Sequence, residues 1–178
     1  MNKFLSGEFP IRSFLNLGIF YYPNMPIRDL QEKDFSKLAT LYLKFFPTHN
    51  IFQQHQDIVG AYLRKESLER EAFLVHEEKG KVTAALILVL EGKSADKSHT
   101  RWKFRHFAFS SETAGEKLLR EAEKRVQKSS QTAKVELTIA ESEPGAAFYK
   151  KHGYAQEGIL KNHYRWGERC FVLGKSFS

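Results

Sequence analysis

Arg101 to Gln127, RWKFRHFAFSSETAGEKLLREAEKRVQ, decides how this chain is built. It opens as a strand rich in aromatic residues, passes through small polar residues, and continues as an amphipathic helix opened by Gly115. Leu118, Leu119, Ala122 and Val126 recur on one helical face, while Glu116, Lys117, Glu121, Lys124 and Arg125 fill the other. A strand that feeds straight into a helix N-terminus leaves several backbone N–H groups unpaired and aimed at one spot, with the positive end of the helix dipole behind them. Such a corner is an anion site. Corners of this kind are common and most hold water, so the flanking sequence has to say whether this one binds a ligand.

The next segment, KVELTIAESEPGAAFYKKHGYAQEGIL, supplies a strand from Val135 to Ala140 and then a short helix. Glu143 and Pro144 suit its first turn, since proline has no N–H to lose there, and Gly153 ends it. Phe148-Tyr149-Lys150-Lys151-His152-Gly153-Tyr154 resembles the F-Y-x-K-x-G-[FY] signature of the GNAT superfamily of N-acetyltransferases. The tail is similar to that family's closing β-hairpin, with a turn near Trp166-Gly167 and a last strand from Cys170 to Leu173. The resemblance runs from Met25 onward in the family's order of elements. It implies an α/β GNAT fold: a mixed central sheet of about six to seven strands, flanking helices and splayed central strands.

Composition is consistent with one ordinary domain, since 178 residues with 42% apolar content can close a core. No apolar run approaches the roughly 20 residues needed to span a bilayer. The single cysteine, Cys170, lies in an apolar strand and cannot form an internal disulfide, and no Cys/His cluster has zinc spacing. These features set no metal and a cytoplasmic, reducing compartment as expectations. The net charge of +7 is spread along the chain, with modest clusters at Arg101-Lys103-Arg105, Lys150-Lys151 and Lys161 to Arg165. It suits a polyanionic small ligand, and with no basic tail or nucleic-acid motif, nucleic acid is not the expected partner.

Residues 1–24 are rich in aromatics, but Glu8, Pro10 and Arg12 interrupt the apolar core that a secretory signal needs. Two alternatives stand: an extension packing Phe14, Ile19, Phe20 and Tyr21 on the domain, or Met25 as the natural start. The GNAT-like domain is expected over residues 25–178. A first strand at Ile27 leads to Asp34 as N-cap and to a helix carrying Phe35, Leu38, Ala39, Tyr42 and Phe45 or Phe46, which Pro47 stops. A second helix is read from Ile51 to Lys65. Strands Ala72 to Glu77 and Lys81 to Leu90 flank a turn at Glu78-Lys79-Gly80. The near-continuous apolar character of the second suits a central strand covered on both faces. Gly92 to Thr100 reads as a polar loop.

The resemblance also implies chemistry. In the family the strand ahead of the main helix splays from the next, and the pantetheine arm of acetyl-CoA lies in the opening like an added strand. By position, Phe107, Ala108 and Phe109 offer backbone groups to that arm, and the amides of Thr113, Ala114, Gly115 and Glu116 take the pyrophosphate. Phe148 and Ser142 fall beside the cofactor. Tyr149 matches the acid that protonates the leaving thiolate. For the base, His106 titrates in a useful range, with Glu136 and Glu141 as weaker alternatives. Phe46, His49 and His55 fall where the family walls the acceptor side, and His163 with Tyr164 resembles the aromatic pair that peptide N-terminal acetyltransferases present in the last hairpin. The acceptor is a primary amine, on a small molecule or on a protein or peptide. No membrane is involved, and the family's habit of dimerising sets a homodimer as the expectation.

One departure from the pattern weighs against full activity. The usual phosphate loop reads [RQ]-x-x-G-x-[GA], whereas this chain has Ser110 and Thr113 at the first two defined places and keeps only Gly115. Losing a glycine removes a position of close backbone approach, and Glu116 adds negative charge beside it. Two readings follow: an active acetyltransferase, or a GNAT-fold binding or regulatory module with an impaired coenzyme site.

Overall fold

The computed structural model describes residues 26–178. The expectations for residues 1–24, and for Met25 as the first residue, lie outside the described residues. Strand β1 (Ile27–Asp29) is followed by a single 3-10 turn (Glu32–Asp34) and by helices α1 (Phe35–Phe45) and α2 (Gln56–Glu69). Then come β2 (Ala72–Glu78), β3 (Lys81–Lys93), β4 (His99–Phe109), α3 (Glu112–Gln127), β5 (Thr132–Ala140), α4 (Ala146–Lys151), β6 (Ala155–Lys161) and β7 (Arg169–Phe177). The strands form one seven-stranded sheet in the order β1-β2-β3-β4-β5-β7-β6. Only β4 and β5 pair in parallel, because α3 carries the chain back between them.

The run in β3 is apolar throughout because both faces of the strand are covered. Ala84, Leu86 and Leu88 pack with Leu118, Leu119 and Val126 of α3, while Ala85 and Ile87 pack with Leu38 and Tyr42 of α1 and Leu63 of α2. Each face shows the two-residue strand period, and the two together read as an unbroken run.

Two irregularities in β4 shape the site. Opposite β3, Ala85 faces Ala108 but Ile87 faces Arg105, so β4 carries one extra residue. The bulge holds His106 at φ 49. Toward β5 the ladder runs from His99/Thr132 to Lys103/Glu136 and stops. Beyond that register the edge of β4 facing β5 has no strand partner.

Several boundaries differ from the sequence expectations. Helix α3 starts three residues before Gly115, because Ser111 caps it by accepting a hydrogen bond from the Ala114 amide. Helix α2 starts at Gln56, since Ile51–Gln54 form turns and His55 is its N-cap. Asp34 is no N-cap. It is fully buried, accepts hydrogen bonds from Arg28 (2.6 and 2.9 Å) and from the Gln31 amide (2.9 Å), and so ties β1 to the turn before α1. Glu143 and Pro144 lie ahead of α4, whose N-cap is Gly145 at φ 119. The loop after β3 shrinks to Ser94–Ser98, where the Asp96 carboxylate accepts from the Ser94 and Ser98 hydroxyls and the Ser98 amide.

Candidate active site

Where β4 and β5 part, a cavity of about 410 Å³ opens across the bulge. Its floor is β4 from Lys103 to Phe109 and β5 from Leu137 to Ile139; Phe45, Phe46, His49 and Asn50 close one side, and Glu143, Gly145, Tyr149, His163, Tyr164 and Arg165 the other. Three segments far apart in the chain meet here. Arg165 fastens them: its guanidinium donates to Thr48 O (3.0 Å) and Thr48 Oγ1 (2.9 Å) from the loop after α1, to Glu168 (2.7 Å) and to Ser142 Oγ (3.1 Å).

Tyr149 is buried against Tyr154 (ring centroids 5.0 Å) and Phe107 (5.7 Å) and borders the cavity. Its hydroxyl has no hydrogen-bond partner among the described residues and is not enclosed by them. Burial, and then the negative charge of Glu123, push its phenol well above the ordinary range. The group therefore keeps its proton at any physiological pH. The Glu143 carboxyl is pushed up, chiefly by burial, with the Arg165 charge opposing; that guanidinium stands 3.9 Å away. A backbone hydrogen bond from Ala140 also pulls the carboxyl down, more weakly than burial raises it. The arrangement pairs a proton-holding phenol with a partly desolvated carboxyl across one cleft.

The other sequence-predicted residues divide in two. Phe46, His49, His106, Phe107, Phe109, His163 and Tyr164 line the cavity. His49 stacks on Phe52 at 4.3 Å, and its ring is pushed down from the ordinary histidine range, chiefly by burial and then by Arg165 and Arg105. Tyr164 meets Thr138 Oγ1 at 2.5 Å through its hydroxyl. His55 does not join them: it is exposed at the start of α2 beside Asp57. Ser142 donates to Glu168 and stands outside the cavity lining. Phe148 packs beneath the lining against Phe109 (4.7 Å) and His152 (4.5 Å), and Ala108 is wholly buried among the α1 and α2 side chains. Glu136 pairs with Lys134, and Glu141 with Arg169, away from the cleft.

At the mouth of α3 the four expected amides are not all free. Ala114 N–H is taken by Ser111 Oγ, Gly115 N–H by Ser111 O (3.0 Å), and Glu116 N–H lies within the helical ladder. Glu112 and Thr113 remain as open donors. Lys151, from the end of α4, stands at this mouth, paired with Glu112 and 3.7 Å from Glu116.

Solved structures superpose on this fold over most of their length. The aminoglycoside 6'-N-acetyltransferase from Enterococcus faecium superposes with a TM-score of 0.66 at 14% identity, over 85% of this chain and 97% of that one. The chain has the GNAT fold. An aminoglycoside 6'-N-acetyltransferase complexed with coenzyme A gives 0.67 at 13% (85% and 97% covered), and the ribosomal-protein-alanine N-acetyltransferase from Brucella melitensis gives 0.64 at 14% (86% and 100% covered). At these identities the likeness is one of fold. No protein-family model and no curated protein matches the sequence.

Reading residues alone missed Glu143, Arg165, Lys103, Glu91 and Tyr62 as parts of this GNAT cleft and its surroundings. Arg165 was visible only as a member of a basic cluster, and Glu143 only as a helix-start residue. Among the described residues no helix is long and apolar enough to cross a membrane, and no group of three His, Cys, Asp or Glu could hold a metal ion.

Proposed function

We propose that this chain is an N-acetyltransferase that moves the acetyl group of acetyl-CoA to a primary amine by direct attack of the amine on the thioester. The observation that carries the reading is the opening between β4 and β5 at the bulge, with the unpartnered Tyr149 hydroxyl beside it. The residues suit the cosubstrate: the free backbone edge at Phe107 to Phe109 fits an extended pantetheine arm, the Glu112 and Thr113 amides fit a pyrophosphate, and Lys151 supplies a cation that the short loop lacks. Bound acetyl-CoA supplies the activated acetyl group. Tyr149 gives its proton to the departing sulfur, and Glu143 takes the proton that the amine loses. Phe46, His49, His163 and Tyr164 contact the acceptor.

The neighbours named for aminoglycoside and for ribosomal-protein alanine act, by those names, on amines. Here Lys103, which has no ion-pair partner among the described residues, lines the cleft with Arg105 and Arg165. Arg105 and Arg165 are paired with Glu66 and Glu168, so it is the Lys103 charge that disfavours a polycationic acceptor, and a protein or peptide amine is preferred over an aminoglycoside. A second reading, a GNAT-fold binding module without turnover, is favoured by Glu112, whose carboxylate sits in the first turn of α3 where a pyrophosphate would lie.

Calorimetric titration with acetyl-CoA and with free CoA at two salt concentrations separates the two. Micromolar one-to-one binding that weakens with salt supports the enzyme and opens a screen of peptide amines. No binding up to millimolar CoA removes the acetyltransferase reading.

A further inference from the structure

His106 occupies the extra position of the β4 bulge at φ 49, a backbone conformation that a non-glycine residue keeps only when its surroundings hold it. Its ring is boxed edge-on by Phe52 (5.0 Å between centroids), His49 (5.4 Å) and Tyr62 (5.7 Å). Nε2 lies 2.6 Å from the Tyr62 hydroxyl. A phenol is a much better donor than acceptor, and the bare nitrogen of a neutral imidazole is the better acceptor of the two, so Tyr62 O–H donates to Nε2. The Arg105 guanidinium, held at 3.2 Å by the buried Glu66 carboxylate, faces the Tyr62 oxygen and can only donate. That leaves the phenolic proton for His106.

A neutral imidazole whose Nε2 accepts carries its proton on Nδ1. Nδ1 has no partner among the described residues and is not enclosed, and the ring borders the cleft. Burial, with the charges of Arg105, His49 and Arg70 adding, pushes the ring down to about 3, so it stays neutral across the physiological range.

The geometry points to Tyr62 fixing His106 as the neutral Nδ1–H tautomer, a hydrogen-bond donor to the thioester carbonyl oxygen and not the base of the reaction. The donor is positioned by a chain that runs from Glu66 through Arg105 and Tyr62 to the bulge, and it meets the charge that gathers on that oxygen as the amine adds. Identifying the oxygen as the thioester's rests on the acetyl-transfer reading; the tautomer does not.

Long-range proton–nitrogen correlation spectra of the histidine-labelled full chain read the tautomer directly, with His106→Gln used to assign the signal. The expected result at neutral pH is protonated Nδ1 and bare Nε2, with no change down to pH 5. An Nε2–H ring or an imidazolium would overturn the inference, and this wild-type spectrum decides even where a variant does not fold. In Tyr62→Phe the signal moves toward the Nε2–H form; an unchanged pure Nδ1–H signal there would remove Tyr62 from the role. Acetonyl-CoA, a ketone analogue that keeps the carbonyl, is expected to shift the Nδ1 proton downfield, whereas free CoA leaves it in place. Binding of acetonyl-CoA with no such shift overturns the carbonyl contact. If neither compound binds, the acetyl-transfer reading and the carbonyl contact fail together, and the tautomer is judged on the ligand-free spectrum.

Discussion

Replacing Gly115 with alanine should weaken the fold although alanine is the better helix former. The added Cβ would stand 2.9 Å from Cγ and Cδ1 of Phe109 and 3.3 Å from Cδ2. Carbon atoms rest at about 3.5–4.0 Å, so the ring or the helix start must yield. The ring has little room, with centroids 4.7 Å from Phe148, 5.0 Å from Phe45 and 5.2 Å from Phe107. Overpacking of this kind costs about 1–3 kcal/mol, and the helix preference for alanine over glycine returns about 1 kcal/mol. The balance is a loss of up to about 2 kcal/mol, or up to roughly 8 °C in Tm for a domain of this size. Urea and thermal denaturation followed by circular dichroism measure it. Pairing the change with Phe109→Leu should recover most of the loss, because the smaller side chain vacates the contact. Gly174→Ala is the comparison: the three atoms nearest its Cβ all belong to the Glu157 carboxylate, the far end of a flexible side chain paired with Lys134, which can swing aside, so the loss should be smaller than at Gly115. A Gly115→Ala protein more stable than its parent would refute the account of why glycine stands there.

Tyr149→Phe should lower acetyl transfer by roughly 10²- to 10⁴-fold while leaving acetyl-CoA binding by calorimetry intact; a near-normal rate removes Tyr149 from the mechanism. Asp34→Asn should cost about 1–3 kcal/mol in urea denaturation, because Arg28 loses a buried charged partner but keeps Glu77. Burial alone would raise the Asp34 carboxyl, but hydrogen bonds from Arg28 and the Gln31 amide outweigh it and hold the group below its ordinary range. Its contribution is therefore complete above the unfolded-state pKa and is lost as pH falls through the lower folded value, so parent and variant should converge in stability toward strongly acid pH. Glu112→Gln removes a negative charge from the mouth of α3 and frees Lys151, which should tighten CoA binding about threefold at low salt; an unchanged affinity would place the pyrophosphate elsewhere.

The order of elements was legible because each carries its own short-range mark. The helical face of α3, the turn at Lys79 and Gly80 (φ 49 and 75), and Gly153 (φ 85) after α4 all express preferences set within a few residues. Capping was less legible. Ser111 and Gly115 both suit a helix start, and what separates them is that Gly115 is needed under the Phe109 ring, a packing reason invisible along the chain. Asp34 looked like a cap because aspartate before an apolar repeat usually is one; here Arg28 claims its carboxylate.

Of the residues that line the cavity, Tyr149 was readable because a contiguous motif surrounds it, and His49, His163 and Tyr164 because the family resemblance points to those positions. Whether His106 faced the core or the cleft was not readable, since the added residue in β4 breaks the alternation from which a side chain's face is inferred. Glu143, Arg165 and Tyr62 carried no local mark of a place in the site. Their roles come from contacts over long sequence separations, such as Arg165 with Thr48 and Tyr62 with His106. The sequence by itself determined the periodicities, the turns and hence the α/β order, which depend on near neighbours. The tertiary structure alone decided the parting of β4 from β5, the bulge and the protonation states of the groups around it, because strand pairing and burial are properties of segments that meet only in the folded chain.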